Sequence, residues 1–260
     1  MLDVAAMIDA LVAHPSETVI LFDYDGSLAP IVDLPEDAVA LPAAIDALGR
    51  LAGRVGRIGI VSGRPVEFLV RRVPVPDLVF AGLYGMEMMV DGERRIEPRV
   101  LAFGAAVARA ADQAEERLPG VHVERKGGVS VTVHWRTTPD RAAAVLAVAA
   151  DLAHRHGLAE LRTRFAVELR PPVDIDKGNA VDTLIHGFDV AAFAGDDTGD
   201  LPAFEALGRA RDEGRLTRAV RIGVLSTEMP DGLPSSVDGL VDGPIGLAQM
   251  LGEVATRLGA

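Results

Sequence analysis

Two carboxylates spaced two residues apart, Asp23 and Asp25 in "TVILFDYDGSLAP" (residues 18–30), are the first side chains in the chain whose types and spacing could do chemistry. The apolar run Val19–Phe22 reads as a strand, and a strand's period of two points Asp23 and Asp25 to the same side. Neighbouring like charges at a strand end repel, so the pair needs a reason. An EF-hand loop is a poor one, because Leu28 stands where that loop needs Gly and Leu34 where it needs Glu. The Asp-x-Asp metal motif of nucleotide-sugar transferases fits the spacing. So does a plain turn at Asp25-Gly26.

A second acidic group changes the weights. "VAAFAGDDTGD" places Asp196, Asp197 and Asp200 after another apolar run. If these join the first pair, five carboxylates share one rim, and each pair about 4 Å apart costs roughly 4 kcal/mol at an effective dielectric near 20. Such a rim needs a cation, and oxygen donors without His or Cys point to Mg²⁺. Ser62 in "IVSGRP" adds a hydroxyl at a strand end, although it could equally be the N-cap of the next helix. Lys177 in "DIDKGNAV" stands just before a helix-like stretch that starts near Gly178, where a lone lysine is more often a solvated charge.

The elements that must position these residues are legible as apolar runs. "VILFDYDG", "RIGIVSGR", "LVFAGLYG" and "VAAFAGDD" each end in a polar cluster. Between the first two lies a helix pattern opened by Pro42, with Ile45, Leu48 and Leu51 on one stripe and Gly53 after it. Unbroken apolar strands alternating with helices predict an α/β fold, a parallel sheet covered on both faces. Ligands gather at the carboxyl ends of such strands, where the polar clusters fall.

The middle of the chain is different. After a hairpin turning at Asp91-Gly92 comes a helix with Val107, Ala111, Ala114 and Leu118 on one stripe. "VHVERKGGVSVTVHWR" and "FAVELR" then alternate strictly, with a second helix from Thr138-Pro139 to Gly157 between them. Alternation predicts a half-buried antiparallel sheet, so residues 99–170 read as a small α+β insertion. Residues 1–98 and 171–260 then form the parallel-sheet core. Val129, Val131, Val133 and Trp135 share one face of the insertion's sheet. Ser130, Thr132, His134 and Arg136 share the other, which is either a solvated face or a polar platform for a ligand.

Bulk properties narrow the partners. The 260 residues are 49% hydrophobic and 25% charged, an ordinary globular composition. A net charge of −12 argues against nucleic acid and anionic membranes, so an anionic substrate would need local positive charge or a metal. The absence of cysteine removes disulfides and thiolate chemistry. The N-terminal stretch has no basic region before its apolar residues, and no run nears the roughly 18 apolar residues of a membrane span. The expectation is a cytoplasmic protein.

Asp-x-Asp-Gly, then Ser, then Lys, then Gly-Asp-Asp, in this order and strand context, resembles the haloacid dehalogenase superfamily. "FDYDGSLAPIV", "SGR", "GLYGME", "VERKGGVSVTVHWR", "ELRPPVDIDKGNAV" and "FAGDDTGD" are similar to the trehalose-6-phosphate phosphatase family within it. The resemblance implies a Rossmann-like core with an inserted cap and a Mg²⁺-dependent phosphatase. Asp23 would attack phosphorus and form an aspartyl-phosphate. Asp25 would protonate the leaving sugar oxygen and then activate water. Mg²⁺ would be held by Asp23, the Asp25 backbone carbonyl and Asp196, with Asp197 and Asp200 in support. Ser62 and Lys177, with Gly63 and Arg64, would hold the phosphoryl group.

In the insertion, the family's Glu-x-Lys corresponds to Glu124 and Lys126, which would reach the sugar hydroxyls together with Glu168. The implied substrate is a disaccharide phosphate, trehalose 6-phosphate first, and the implied source of it a trehalose-6-phosphate synthase. Three departures bear on the substrate: Tyr84 in place of the usual His, Gly199 in place of Thr, and Leu201-Pro202 in place of an acidic pair. The rival expectations are another glycosyl phosphate, transfer to a second sugar hydroxyl, or a non-catalytic sugar-phosphate sensor.

Overall fold

Val19, Ile20, Leu21 and Phe22 are all at 0% exposure, the burial that a strand covered on both faces requires. The computed structural model describes residues 2–163, 165–226 and 229–260. In chain order its first elements are α1 (Val4–Val12), β1 (Thr18–Phe22), α2 (Pro42–Leu51), β2 (Arg57–Val61), α3 (Val66–Arg72), β3 (Val79–Gly82), β4 (Glu87–Val90) and β5 (Glu93–Ile96). There follow α4 (Pro98–Leu101), α5 (Gly104–Arg117), β6 (His122–Lys126), β7 (Ser130–His134), α6 (Ala142–His156), β8 (Ala159–Arg162) and β9 (Ala166–Arg170). The last are α7 (Lys177–Leu184), β10 (Val190–Gly195), α8 (Leu201–Asp212), β11 (Arg218–Val224), β12 (Gly239–Val241) and α9 (Gly243–Arg257).

The chain divides into two compact units, Met1–Arg95 with Ile175–Ala260, and Ile96–Asp174. The borders fall at 96 and 174, where the sequence suggests 99 and 170. At the first, Glu97 caps α4 by accepting the Arg99 N–H, which makes it part of that helix.

Among the described residues, the larger unit has a sheet in the order β12-β11-β10-β1-β2-β3-β4-β5. The strands from β12 to β3 pair in parallel, and β4 joins β3 antiparallel. The period of two sends Ile20 and Phe22 into a core on one face and Val19 and Leu21 into a core on the other. The first core takes α2 and α9 through Leu48, Leu51, Leu251 and Val254; the second takes α7 and α8 through Val181, Leu184, Phe204 and Leu207. The hairpin turns at Asp91 (φ 52°) and Gly92 (φ 76°), a pair of left-handed residues that matches strand twist. The chain leaves β1 at Phe22, so a turn, not strand alternation, sets the position of Asp25.

The smaller unit has an antiparallel sheet in the order β6-β7-β9-β8. Val131, Val133, Val167 and Leu169 pack with Val107, Ala111, Val145 and Leu152 of α5 and α6. Register sets Glu124 opposite Thr132 and Thr132 opposite Glu168, a row on the other face. On that face Ser130, Thr132, Lys126, Glu168 and Arg170 are buried, while Glu124, His134 and Arg136 are half-buried. No helix among the described residues is long and apolar enough to cross a membrane.

Candidate active site

β1 and β10 run in parallel with Phe22 opposite Ala194, so Asp23 and Asp196 leave adjacent strands at the same end. The ladder continues one step further through Asp23 N–H to the Ala194 carbonyl at 2.8 Å. β2 flanks β1 on its other side, with Ile60 opposite Phe22, and delivers Ser62 to the same end. Gly26 (φ 82°) turns the chain beneath Asp196 so closely that a Cβ there would lie 2.2 Å from Asp196 Oδ2. Only glycine permits that turn with that approach.

Lys177 is the first residue of α7, fixed by a reciprocal capping box between Asp176 and Asn179. Its ammonium is buried and bridges Asp23 Oδ1 at 2.7 Å and Asp200 Oδ1 at 2.6 Å. The other Asp200 oxygen accepts the backbone N–H groups of Asp196 (2.8 Å) and Asp197 (3.1 Å). Asp200 is thereby fully engaged and holds the Gly195–Asp197 strand end in shape. Asp197 Oδ1 accepts the Gly199 N–H at 2.8 Å.

Oxygens of Asp23, Asp196 and Asp200 lie within 4.8 Å of one another, and Asp196 Oδ1 is buried without a hydrogen-bond partner. An orphaned buried carboxylate oxygen costs free energy that a cation would recover. The donor set is all hard oxygen, so the residues fit Mg²⁺. Electrostatics agree. Burial first, then the neighbouring carboxylates, push Asp23 well above its usual range, against the pull of Lys177. Burial and Asp200 push Asp196 up to about 8 and Asp197 up to about 6. Burial works to lower Lys177, but Asp200 and Asp23 outweigh it and hold its pKa well above the usual value.

Asp25 stands apart from this cluster. Arg64 donates Nε and Nη2 to its two carboxylate oxygens, each at 2.7 Å, a bidentate pair. The same guanidinium lies 4.7 Å above the Phe68 ring, and Tyr24 meets Phe68 edge-on. Ser62 is not the N-cap of α3, a place taken by Pro65. Its Oγ instead accepts the Arg64 N–H at 3.2 Å, inside a tight Ser62-Gly63-Arg64 loop. Sequence reasoning missed Glu87, a fully buried carboxylate that accepts the Val66 N–H at 2.9 Å and pairs with Arg94. The available signal was one acid within the apolar run "GMEMMV".

In the smaller unit, Lys126 Nζ donates to Glu168 Oε2 at 2.9 Å, and Glu168 Oε1 is buried without a partner. His134 Nε2 donates to Glu124 Oε2 at 2.9 Å, with burial lowering the imidazole pKa despite that carboxylate. Glu124, Lys126 and Glu168 thus form one polar group on the face opposite the valines.

A parallel sheet with acidic strand ends and an inserted α+β unit is the haloacid dehalogenase type of fold, and solved structures share it. The C-terminal domain of trehalose-6-phosphate phosphatase from C. albicans superposes with a TM-score of 0.79, covering 98% of this chain and 97% of that one at 21% identity. The family profile described as trehalose-phosphatase matches residues 21–231, and the chain belongs to that family. The trehalose-phosphate phosphatase of Mycobacterium tuberculosis is 35% identical over 80% of this chain and 55% of its own length. That of Mycobacterium marinum is 32% identical over 92% and 62%. The chain therefore spans a little over half the length of these curated relatives.

Proposed function

We propose that the protein is a Mg²⁺-dependent phosphatase that hydrolyses trehalose 6-phosphate through an aspartyl-phosphate on Asp23. The carrying observation is the buried Lys177 bridge between Asp23 and Asp200 beside the orphaned Asp196 oxygen, in a chain of the trehalose-phosphatase family. Lys177 holds Asp23 Oδ1 and leaves Oδ2 as the attacking atom. The new O–P bond forms as the bond from phosphorus to the sugar oxygen breaks, and Asp25 gives its proton to that oxygen. Asp25 then takes a proton from water, whose oxygen displaces Asp23 from phosphorus. Ser62 Oγ, the loop at Gly63, Arg64 and Lys177 hold the phosphoryl oxygens, where charge develops. Arg64 keeps Asp25 in place until substrate arrives. Asp23 and Asp196, with the Asp25 carbonyl, would hold Mg²⁺, and Asp197 and Asp200 would support the loop that carries Asp196. The ion, when bound, supplies charge neutralisation for the phosphoryl oxygens.

Glu124, Lys126 and Glu168 are assigned to the sugar hydroxyls, which makes the smaller unit the reader of the disaccharide. Working in the cytoplasm, the enzyme would take its substrate from a trehalose-6-phosphate synthase. A second reading keeps the chemistry and changes the glycosyl group, supported by Tyr84, Gly199 and Leu201-Pro202 where the family usually has other residues. A sensor would have no need of Asp23, Asp25 and Lys177 together. The test is phosphate release across a panel of sugar phosphates with and without Mg²⁺. Trehalose 6-phosphate should lead by kcat/KM, and only with the metal. Preference for another ester, or no release from any, rejects the assignment.

A further inference from the structure

Behind the Ser62–Arg64 loop runs a turn in a backbone conformation that bulky residues rarely adopt. Leu83 (φ 51°) and Tyr84 (φ 62°) are both left-handed, and Gly85 (φ 103°) follows them. Such outliers persist only where the surroundings hold them, and they concentrate at functional sites. Here the surroundings are the phosphoryl loop itself. Ser62 N–H donates to the Ala81 carbonyl at 2.9 Å, Leu83 N–H to the Arg64 carbonyl at 3.0 Å, and Tyr84 N–H to the Ser62 carbonyl at 2.9 Å. The left-handed backbone swings the Tyr84 phenol across Gly63, where a Cβ would lie 2.8 Å from the ring and its oxygen.

The turn also backs onto the element that carries Lys177. A Cβ at Gly85 would sit 3.0 Å from the Ala180 Cβ of α7, whose first residue is Lys177. Glu87 completes the set. Its carboxylate, at 0% exposure, reaches the Val66 N–H that opens α3 directly after the loop. A Ser, Thr, Asp or Asn at position 65 would cap that helix locally. The chain instead brings in a buried acid from 21 residues away and pairs it with Arg94, a demanding arrangement that ties the loop to β4.

We propose that Leu83–Glu87 is a spacer that sets the Ser62–Arg64 loop at a fixed distance from Lys177, with Tyr84 and Glu87 as its positioning residues. This rests on the reading that the loop and Lys177 hold a phosphoryl group. Neither residue touches the reacting atoms in this scheme. Their contribution is geometry, and displacements near 1 Å in such a frame can cost roughly a hundredfold in rate.

The test uses the full chain with Mg²⁺ and the variants Tyr84→Asn, Glu87→Gln and Glu87→Leu, with Asp238→Asn as a destabilised control at the remote Arg221 pair. Melting temperature, affinity for inorganic phosphate, and kcat and KM for trehalose 6-phosphate and an aryl phosphate are measured. Asparagine tolerates a left-handed backbone, so Tyr84→Asn should stay folded and melt no lower than the Asp238→Asn control. Its phosphate affinity should weaken and its kcat/KM should fall about tenfold on both esters, since both share the phosphoryl loop. Glu87→Gln retains an acceptor for the Val66 N–H and should recover most of what Glu87→Leu loses. Should Glu87→Leu not fold, Tyr84→Asn decides. Folded Tyr84→Asn with wild-type kinetics and phosphate affinity overturns the proposal, as does a folded Glu87→Leu with wild-type kinetics or an equal kinetic loss in Asp238→Asn. A wild-type protein that neither binds inorganic phosphate nor releases it from either ester rejects the phosphatase reading instead, and this proposal falls with it.

Discussion

Replacing Lys177 with methionine keeps an apolar stem of similar length and removes the ammonium that sits 2.7 Å from Asp23 and 2.6 Å from Asp200. At an effective dielectric near 20, each attraction is worth about 6 kcal/mol before desolvation. Burial of the three charges offsets most of that, and removing one partner of a buried pair costs about 3–5 kcal/mol net. For a domain of this size, that loss lowers the melting temperature by about 6 to 20 °C. The three carboxylates left behind lie within 4.8 Å, and at that separation each ionised pair repels by about 3.5 kcal/mol. Mg²⁺ held by Asp23 and Asp196 would relieve part of this repulsion. The deficit of Lys177→Met should therefore be largest in EDTA and clearly smaller in saturating Mg²⁺. Thermal denaturation followed by circular dichroism, with both proteins under both conditions, measures it. A variant that melts with wild type in EDTA, or a deficit that ignores Mg²⁺, would refute the reasoning.

Asp23→Asn should abolish turnover, and Asp25→Asn should lower kcat by at least about a hundredfold, a typical general acid–base contribution, as measured by phosphate release. Asp196 and Asp197 have folded pKa values raised to about 8 and about 6. Without metal the folded state then binds more protons than the unfolded chain from about pH 4 upward, so stability falls as pH rises towards about 8. Mg²⁺ needs these groups ionised, so its shift in melting temperature should grow from about pH 5 to about pH 8; a constant shift would contradict this. Glu124→Ala or Lys126→Ala should cut kcat/KM for trehalose 6-phosphate about tenfold, roughly 1.4 kcal/mol, and leave an aryl phosphate nearly unchanged. Burial works to raise Asp238, but its hydrogen bonds from Arg221 outweigh it and depress the pKa, so that pair stabilises at neutral pH and is lost as pH falls through the folded value. Asp238→Asn should cost about 1–2 kcal/mol by chemical denaturation at pH 7 and little in acid.

The doubly buried strands were legible because nothing polar interrupts "VILF", "IGIV" or "VAAFAG", and alternation marked the sheet of the smaller unit equally plainly. β11 escaped because Arg218 and Arg221 break its apolar run; Arg221 is there to pair with Asp238 near the sheet's edge. β12, only Gly239–Val241, is too short to show a period, and β8 carries Glu160 and Arg162 at an edge. The acidic residues could be gathered from the parallel-sheet rule alone, since it places all strand ends together. Their division of labour could not. Arg64 meets Asp25 across 39 residues, and Glu87 meets Val66 across 21, so no local pattern encodes either contact. Ser62 looked like a cap because serine after a strand often is one, and only the distant Glu87 shows why α3 has no need of it.

The covalent role of Asp23 is tested most directly by trapping the intermediate. Asp25→Asn slows hydrolysis of an aspartyl-phosphate, and a phosphate-labelled aryl ester, whose leaving group needs no acid, still forms it; rapid acid quench of that variant turning over this ester should therefore leave label on the protein. Borohydride reduction followed by peptide mass analysis should then place homoserine at position 23. Label on any other residue, or phosphate release with none on the protein at any quench time, would contradict the account.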